Sequence, residues 1–180
     1  MPQYRKKGDL MKKIAVLIEN AFDEKELIYP YYRLLEAGYK VDLVGTDKDT
    51  VYTSKSGLSQ KSSHASKDVA ADDYDALVIP GGFSPDYMRR SKSTVKLVKE
   101  MDKQNKPIAA ICHGPWMLAS AADIKGKNLT SYPSIKDDLI NAGANWIDQG
   151  VVADANYITS RSPADLPAFL KAIIEKVEKA

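Results

Sequence analysis

The sequence predicts an α/β fold, an open and mostly parallel sheet with helices on both faces. Three observations carry that expectation. Short apolar runs at residues 13–18, 74–79 and 108–111 lack polar alternation, the pattern of strands buried on both faces. Amphipathic stretches of helical period stand between such runs. Gly, Pro, Asn and Asp sit at the junctions, so strand and helix alternate as in parallel crossover units.

Taken in order, residues 1–10 carry Arg5, Lys6 and Lys7 without apolar periodicity and are read as a flexible extension. Met11 is then the functional start, and residues 11–180 form one domain. Residues 13–18 make the first strand. Asn20 or Asp23 caps a helix whose apolar stripe is Leu27, Tyr31, Leu34 and Leu35, with Pro30 expected to kink it. Gly38 ends that helix and residues 39–44 make a second strand. The polar stretch 46–71 is expected to hold a short hairpin, with His64 on the surface. Residues 74–79 form a central strand that runs into Pro80-Gly81-Gly82-Phe83-Ser84-Pro85-Asp86. A helix over 91–105 presents Val95, Leu97, Val98 and Met101. Beyond the strand at 108–111 come a strand at 128–132, a helix at 135–142 closed by Gly143, a hairpin at 151–160 and a final helix opened by Pro163 or Asp165.

Composition narrows the function classes. The 180 residues include 26 Lys plus Arg and 24 Asp plus Glu, and the net charge of +2 gives no strong pull toward nucleic acid or a membrane. The longest apolar run is far short of a membrane span. One cysteine excludes an internal disulfide and fits a reducing, cytoplasmic setting. With only His64, His113 and Cys112, no zinc-type cluster of familiar spacing can be assembled, and no metal or other cofactor is expected.

The chemistry concentrates in Ile108-Ala109-Ala110-Ile111-Cys112-His113-Gly114-Pro115-Trp116. A buried strand turns sharply into a helix, and the turn residue is lifted out with its side chain presented. A lone cysteine at a strand end is most often a small buried hydrophobe. Here the following helix places partial positive charge near the sulfur, which favours the thiolate, and burial of Glu26 favours its neutral acid. The two are expected to titrate as a pair in which Glu26 carries the proton and Cys112 the charge at neutral pH, with a cysteine pKa below that of free cysteine. Gly81 and Gly82, directly after a strand, let backbone N–H groups approach a ligand. Glu26 would ordinarily be an exposed helix glutamate, yet it falls at the same carboxyl edge of the sheet. Ligands of open α/β sheets bind at that edge, so Glu26, Gly81-Gly82 and Cys112-His113 converge. Because His113 adjoins Cys112 in sequence, its side chain is expected to point away from the thiol.

Pro80-Gly81-Gly82, Ala110-Ile111-Cys112-His113-Gly114-Pro115 and Glu26-Leu27-Ile28-Tyr29-Pro30 together resemble the ThiJ/PfpI family of the class I glutamine amidotransferase-like superfamily. Thr130-Ser131-Tyr132-Pro133, Ile135-Lys136-Asp137-Asp138 and Thr159-Ser160-Arg161 fit the same family, and the resemblance spans the chain from about Met11 to its end. It implies a flavodoxin-like fold, with Cys112 as nucleophile and Glu26 as the carboxylate beside the sulfur. It also implies oxyanion-binding N–H groups on Gly82 and His113, a place near the site for Tyr132, and a third acid, Asp86, that pairs with His113 of a neighbouring subunit. The implied activity is that of a PfpI-type intracellular peptidase or amidase, or of a cofactor-independent glyoxalase or protein deglycase on the same Cys112 and Glu26. Substrates are then peptides or small carbonyl compounds, and the protein is a homo-oligomer. A redox-sensing stress protein in which Cys112 oxidises is the alternative of another class, and a structural or chaperone role with an inert cysteine ranks below it. Asp86 acting in trans requires at least a symmetric dimer. Light scattering at working concentrations is therefore expected to show no stable monomer, and a monomer would remove the role in trans.

Overall fold

The computed structural model describes residues 11–180, so the expectation for residues 1–10 lies outside the described residues. The chain runs β1 (Lys13–Leu17), α1 (Glu24–Glu36), β2 (Lys40–Gly45), β3 (Val51–Thr53), β4 (Ser59–Lys61), β5 (His64–Ala65), β6 (Ala76–Ile79), α2 (Ser84–Arg90) and α3 (Lys92–Lys103). It continues through β7 (Ile108–Ile111), α4 (Trp116–Ala121), β8 (Asn128–Leu129), α5 (Lys136–Asn141), β9 (Asn145–Trp146), β10 (Val151–Asp154), β11 (Tyr157–Ser160) and α6 (Leu166–Lys179). Among the described residues, seven strands form the main sheet in the order β10-β11-β7-β6-β1-β2-β5. All neighbours pair in parallel except β10 with β11.

The strand residues explain the parallel centre. β6, β7 and β11 are buried at every position and β1 at all but its first, so the four can only lie in the middle, covered on both faces. One face packs Met88, Leu97, Val98, Met101, Met117 and Leu118 from α2, α3 and α4. The other packs Leu27 and Leu34 of α1 against Phe169, Leu170, Ile173 and Val177 of α6. Helices thus cover both faces, as the alternation predicts.

Differences from the sequence reading are local. The strand expected at 128–132 stops at Leu129, because Thr130 to Tyr132 leave the small β8–β9 sheet to pack beside the central strands. A 3-10 turn, Pro133–Ile135, delays α5, and another, Pro163–Asp165, precedes α6. The polar stretch does contain an antiparallel hairpin, β3–β4. His64 lies in the edge strand β5, its Nδ1 3.0 Å from Ser63 Oγ. α1 continues through Pro30, where the missing N–H leaves the Glu26 carbonyl without its helical donor.

β1 is the point where the winding reverses. The chain moves from it to β2 on one side and returns through β6 to β7 on the other, which opens a crevice at the carboxyl ends. The opposite edge is held by a polar network. There Asp102 of α3 accepts from Asp123 N at 3.0 Å, from Asn156 Nδ2 at 3.1 Å and from the Tyr157 hydroxyl. Asn156 and Tyr157 are buried and each has a second, longer contact, Asn156 Nδ2 with Lys106 O at 3.2 Å and the Tyr157 hydroxyl with Asp123 O at 3.2 Å. Removing Asp102 therefore costs each its shorter bond. Asp102→Ala is expected to cost about 2 kcal/mol in urea unfolding and to leave the alkylation rate of Cys112 unchanged, since the network lies at the far end of the strands.

Candidate functional site

Three adjacent strands deliver the site. β1, β6 and β7 end side by side, and their loops are laced together by backbone hydrogen bonds. Phe83 N donates to Ala21 O at 2.8 Å, and Phe22 and Gly82 form an antiparallel bridge. Cys112 N donates to Ser160 O at 3.0 Å and Tyr132 N donates to Cys112 O at 2.9 Å, which fixes the elbow between β11 and the segment before α5. Cys112 itself has a φ of 61°, in the left-handed region that non-glycine residues avoid at a cost of about 1–2 kcal/mol. That conformation presents the thiol above the strand ends, and surrounding contacts hold it there.

Glu26 is completely buried, not an exposed helix glutamate. Asp23 caps α1, its Oδ1 accepting from Lys25 N at 3.0 Å and Glu26 N at 3.3 Å, and this sets the first turn so that Glu26 faces the crevice. Gly81 N donates to Glu26 Oε2 at 2.7 Å. A Cβ on Gly81 would lie 2.5 Å from Glu26 Oε2 and 2.9 Å from Cys112 Cβ, so only glycine allows carboxyl and thiol to meet. Glu26 Oε1 is buried without a hydrogen bond of standard geometry, and the Cys112 thiol is among the side chains that act on the carboxyl. Burial, with help from the Asp23 charge, pushes the Glu26 carboxyl up to about 7, against the pull of Gly81 N–H, Cys112 and Lys55.

The thiol does not follow the sequence expectation. Burial first, then the charge and hydrogen bond of Glu26, push Cys112 up to about 12, while the N–H groups of His113 and Gly82 pull it down. α4 has only six residues, and its partial charge is too small to outweigh desolvation and an adjacent carboxylate. Two of the three raising causes vanish when Glu26 holds the proton. Thiol and carboxyl therefore compete for one proton, and transfer from sulfur to Glu26 generates the thiolate.

His113 also departs from expectation. Its Nδ1 is 3.3 Å from Cys112 Sγ, so adjacency in sequence does not separate the two side chains. The left-handed Cys112 backbone turns the histidine back over the sulfur. Its Nε2 is 3.1 Å from Ser134 Oγ, and its ring stacks on Tyr132 at 5.2 Å and meets Trp116 edge-on at 5.2 Å. Burial and then the Lys55 charge lower its pKa, so the ring is neutral at pH 7. Tyr132 is 44% exposed and forms one side of the mouth, with exposed Phe83 on the other. The structure thus brings together Glu26, Gly81, Gly82, Cys112, His113 and Tyr132. It does not bring Asp86 to His113: that carboxylate lies in the first turn of α2 and makes no side-chain hydrogen bond or ion pair among the described residues.

Sequence reasoning missed Ser134, Trp116 and Lys55. Ser134 follows Tyr132 by two residues, a hint only once Tyr132 is placed. Lys55 comes from the polar loop between β3 and β4, where nothing distinguishes it from other lysines.

A DJ-1/PfpI family model matches residues 12–176. The chain is 44% identical over 163 residues to Deglycase PfpI of Pyrococcus furiosus, covering 91% of this chain and 98% of that protein. It is 45% identical over 160 residues to YraA of Bacillus subtilis, named "Putative cysteine protease", covering 89% of this chain and 95% of the relative. Among solved structures, Drosophila melanogaster DJ-1beta superposes with a TM-score of 0.86 at 31% identity, over 94% of this chain and 95% of that one.

The raised Glu26 pKa has a signed consequence for stability. Unfolded, the carboxyl ionises near 4.5; folded, it holds its proton to about 7. The stabilisation from the buried acid is full below pH 4.5 and is lost as pH rises to about 7. Glu26→Gln keeps an acceptor for Gly81 N–H and carries no charge. It is expected to match wild type near pH 4.5 and to exceed it at pH 8 by about 3 kcal/mol in urea unfolding. Equal stability at pH 8 would show that the carboxyl is not desolvated as the geometry requires.

Proposed function

The chain belongs to the DJ-1/PfpI family, and on that premise we propose that it is a Cys112-dependent enzyme acting on small carbonyl compounds and their glycation adducts, a deglycase or cofactor-independent glyoxalase. The observation that carries this reading is a carboxyl buried against the thiol with its pKa near neutrality, where a general base works best. Glu26 takes the thiol proton as Sγ adds to the carbonyl carbon, and the N–H groups of Gly82 and His113 receive the developing oxyanion. With a 2-oxoaldehyde the adduct is a hemithioacetal. Glu26, having given its proton to the oxyanion, takes the proton from that carbon as the adjacent carbonyl oxygen gains one, which gives an enediol. Glu26 then returns its proton to the adjacent carbon and the hydroxyl beside sulfur loses one, leaving a thioester that water hydrolyses to a 2-hydroxy acid and the free thiol.

The second reading, peptidase or amidase, is favoured by His113 Nδ1 standing 3.3 Å from the sulfur. Amide cleavage needs an acid to protonate the leaving amine, and His113 is neutral and held by Ser134 in place of a carboxylate. Asp86 of a second copy would change that, in a cytoplasmic homo-oligomer built on a single domain over residues 11–180. A free aldehyde has no amine to protonate, which is why turnover of small 2-oxoaldehydes leads within this reading, whereas release from a glycation adduct shares the amidase's need for an acid.

Purified protein assayed on methylglyoxal and on a fluorogenic peptide, with Cys112→Ser alongside, separates the two. Methylglyoxal turnover is expected to fall in Cys112→Ser by about two orders of magnitude or more, and equal activity in both proteins on both substrates would overturn Cys112 dependence. The iodoacetamide rate of Cys112 should show a step near pH 7 in wild type, as the pair loses its first proton, and Glu26→Gln should lack it. Identical pH profiles would remove Glu26 as the base.

A further inference from the structure

Outside the central strands, the β3–β4 hairpin is fastened to the loop that leads into α1. Ala21 N donates to Thr53 O at 2.7 Å, Thr53 N donates to Asn20 Oδ1 at 3.0 Å and Lys55 N donates to Phe22 O at 3.1 Å. Glu24 Oε1 accepts from Ser56 N at 2.9 Å and from the Ser54 hydroxyl. Those contacts leave the hairpin loop little freedom and fix where Lys55 stands. Its Nζ is 2.6 Å from Asp23 Oδ2, and its charge acts on Glu26, Cys112 and His113. A structural hairpin would need only its backbone bonds for this docking; the ammonium brought to the mouth of the site is additional.

We propose that Lys55 is the anion-recognising group of this site, so that the favoured substrates are carbonyl compounds carrying a carboxylate close to the reactive carbon. The proposal rests on Cys112 being the nucleophile and specifies the substrate class beyond that. Three features support it. The Asp23 carboxylate is already satisfied by the N-terminus of α1, so its ion pair with Lys55 orients the ammonium with less loss of charge than an isolated acid would cause. An ammonium has three donors, Asp23 takes one, and the Lys55 side chain is 54% exposed, which leaves donors for a ligand. Glu26 and Asp23 would otherwise make the mouth acidic and repel an anion, and Lys55 is the cation acting on Glu26, Cys112 and His113 alike. Lys55 is a specificity-determining residue in this account and moves no proton.

The test compares two alkylating agents of similar size on Cys112, anionic iodoacetate and neutral iodoacetamide. Their rate ratio cancels any change in thiolate fraction and reports the local charge alone. At low salt the iodoacetate-to-iodoacetamide ratio is expected to drop about three- to tenfold in Lys55→Met, to be kept in Lys55→Arg, and to lose its dependence on residue 55 at high salt. Glyoxylate, an aldehyde bearing a carboxylate, should protect Cys112 from iodoacetamide in wild type and Lys55→Arg and fail to do so in Lys55→Met. A ratio unchanged in Lys55→Met, or protection that ignores the substitution, would overturn the proposal while leaving Cys112 as nucleophile. Loss of reactivity toward both reagents in wild type would instead sink the nucleophile, and this proposal with it.

Discussion

The Glu26 carboxyl, enclosed beside the Cys112 thiol with Gly81 N–H on one oxygen, is the contact on which the rest of the site depends. Burying a carboxyl is unfavourable, and an isolated charge there would be more so. The fold tolerates it because α1 is capped by Asp23, because β6 ends in a glycine that leaves space, and because the carboxyl stays neutral up to about pH 7. The cap stabilises α1 by itself, whereas the glycine and the buried acid serve folding poorly. Together they hold a carboxyl that titrates near neutrality against a thiol.

Two opposing demands meet at Cys112. Desolvation and Glu26 hold the proton on sulfur, and the backbone N–H groups of Gly82 and His113 draw it off. A thiol of this kind is quiet until a proton can pass to the carboxyl, so reactivity is coupled to a partner residue and is not a fixed property of the sulfur. The strained Cys112 backbone belongs to the same arrangement. At 61°, its φ aims the thiol into the crevice and swings His113 back over it. The strain is held by hydrogen bonds to Ser160 and Tyr132, residues on separate segments of the chain.

Around that centre the site is walled by rings and tuned by distant segments. Tyr132, His113, Trp116 and Phe83 meet in successive stacked or edge contacts that shape the mouth. Trp116 is steadied by Asp138, whose Oδ2 accepts from Nε1 at 2.9 Å, and His113 by Ser134, so the residues around α5 orient both rings. The β3–β4 hairpin supplies the cation. Two peripheral pieces, neither of them in the main sheet, thus set the electrostatics and shape of a centre that the sheet positions.

The sequence by itself determined the architecture and the heart of the site. Unbroken apolar runs at β6 and β7 are the pattern of strands held between two layers, and a Cys-His-Gly-Pro junction after one of them matches an elbow at the sheet edge. Glu26 and the two glycines follow strands of the same sheet, so their convergence was legible from order alone. What the tertiary structure decided is everything that depends on distance between remote segments. The depth of Glu26 and the raised thiol pKa come from packing that no local pattern encodes. The direction of His113 depends on one backbone angle, Ser134 and Lys55 reach the site from loops of ordinary composition, and Asp86 remains apart from His113 within one chain. Local periodicity specifies which face of an element is buried; it carries no information on which polar side chains meet across the crevice, because those contacts are made only after the strands have been ordered side by side.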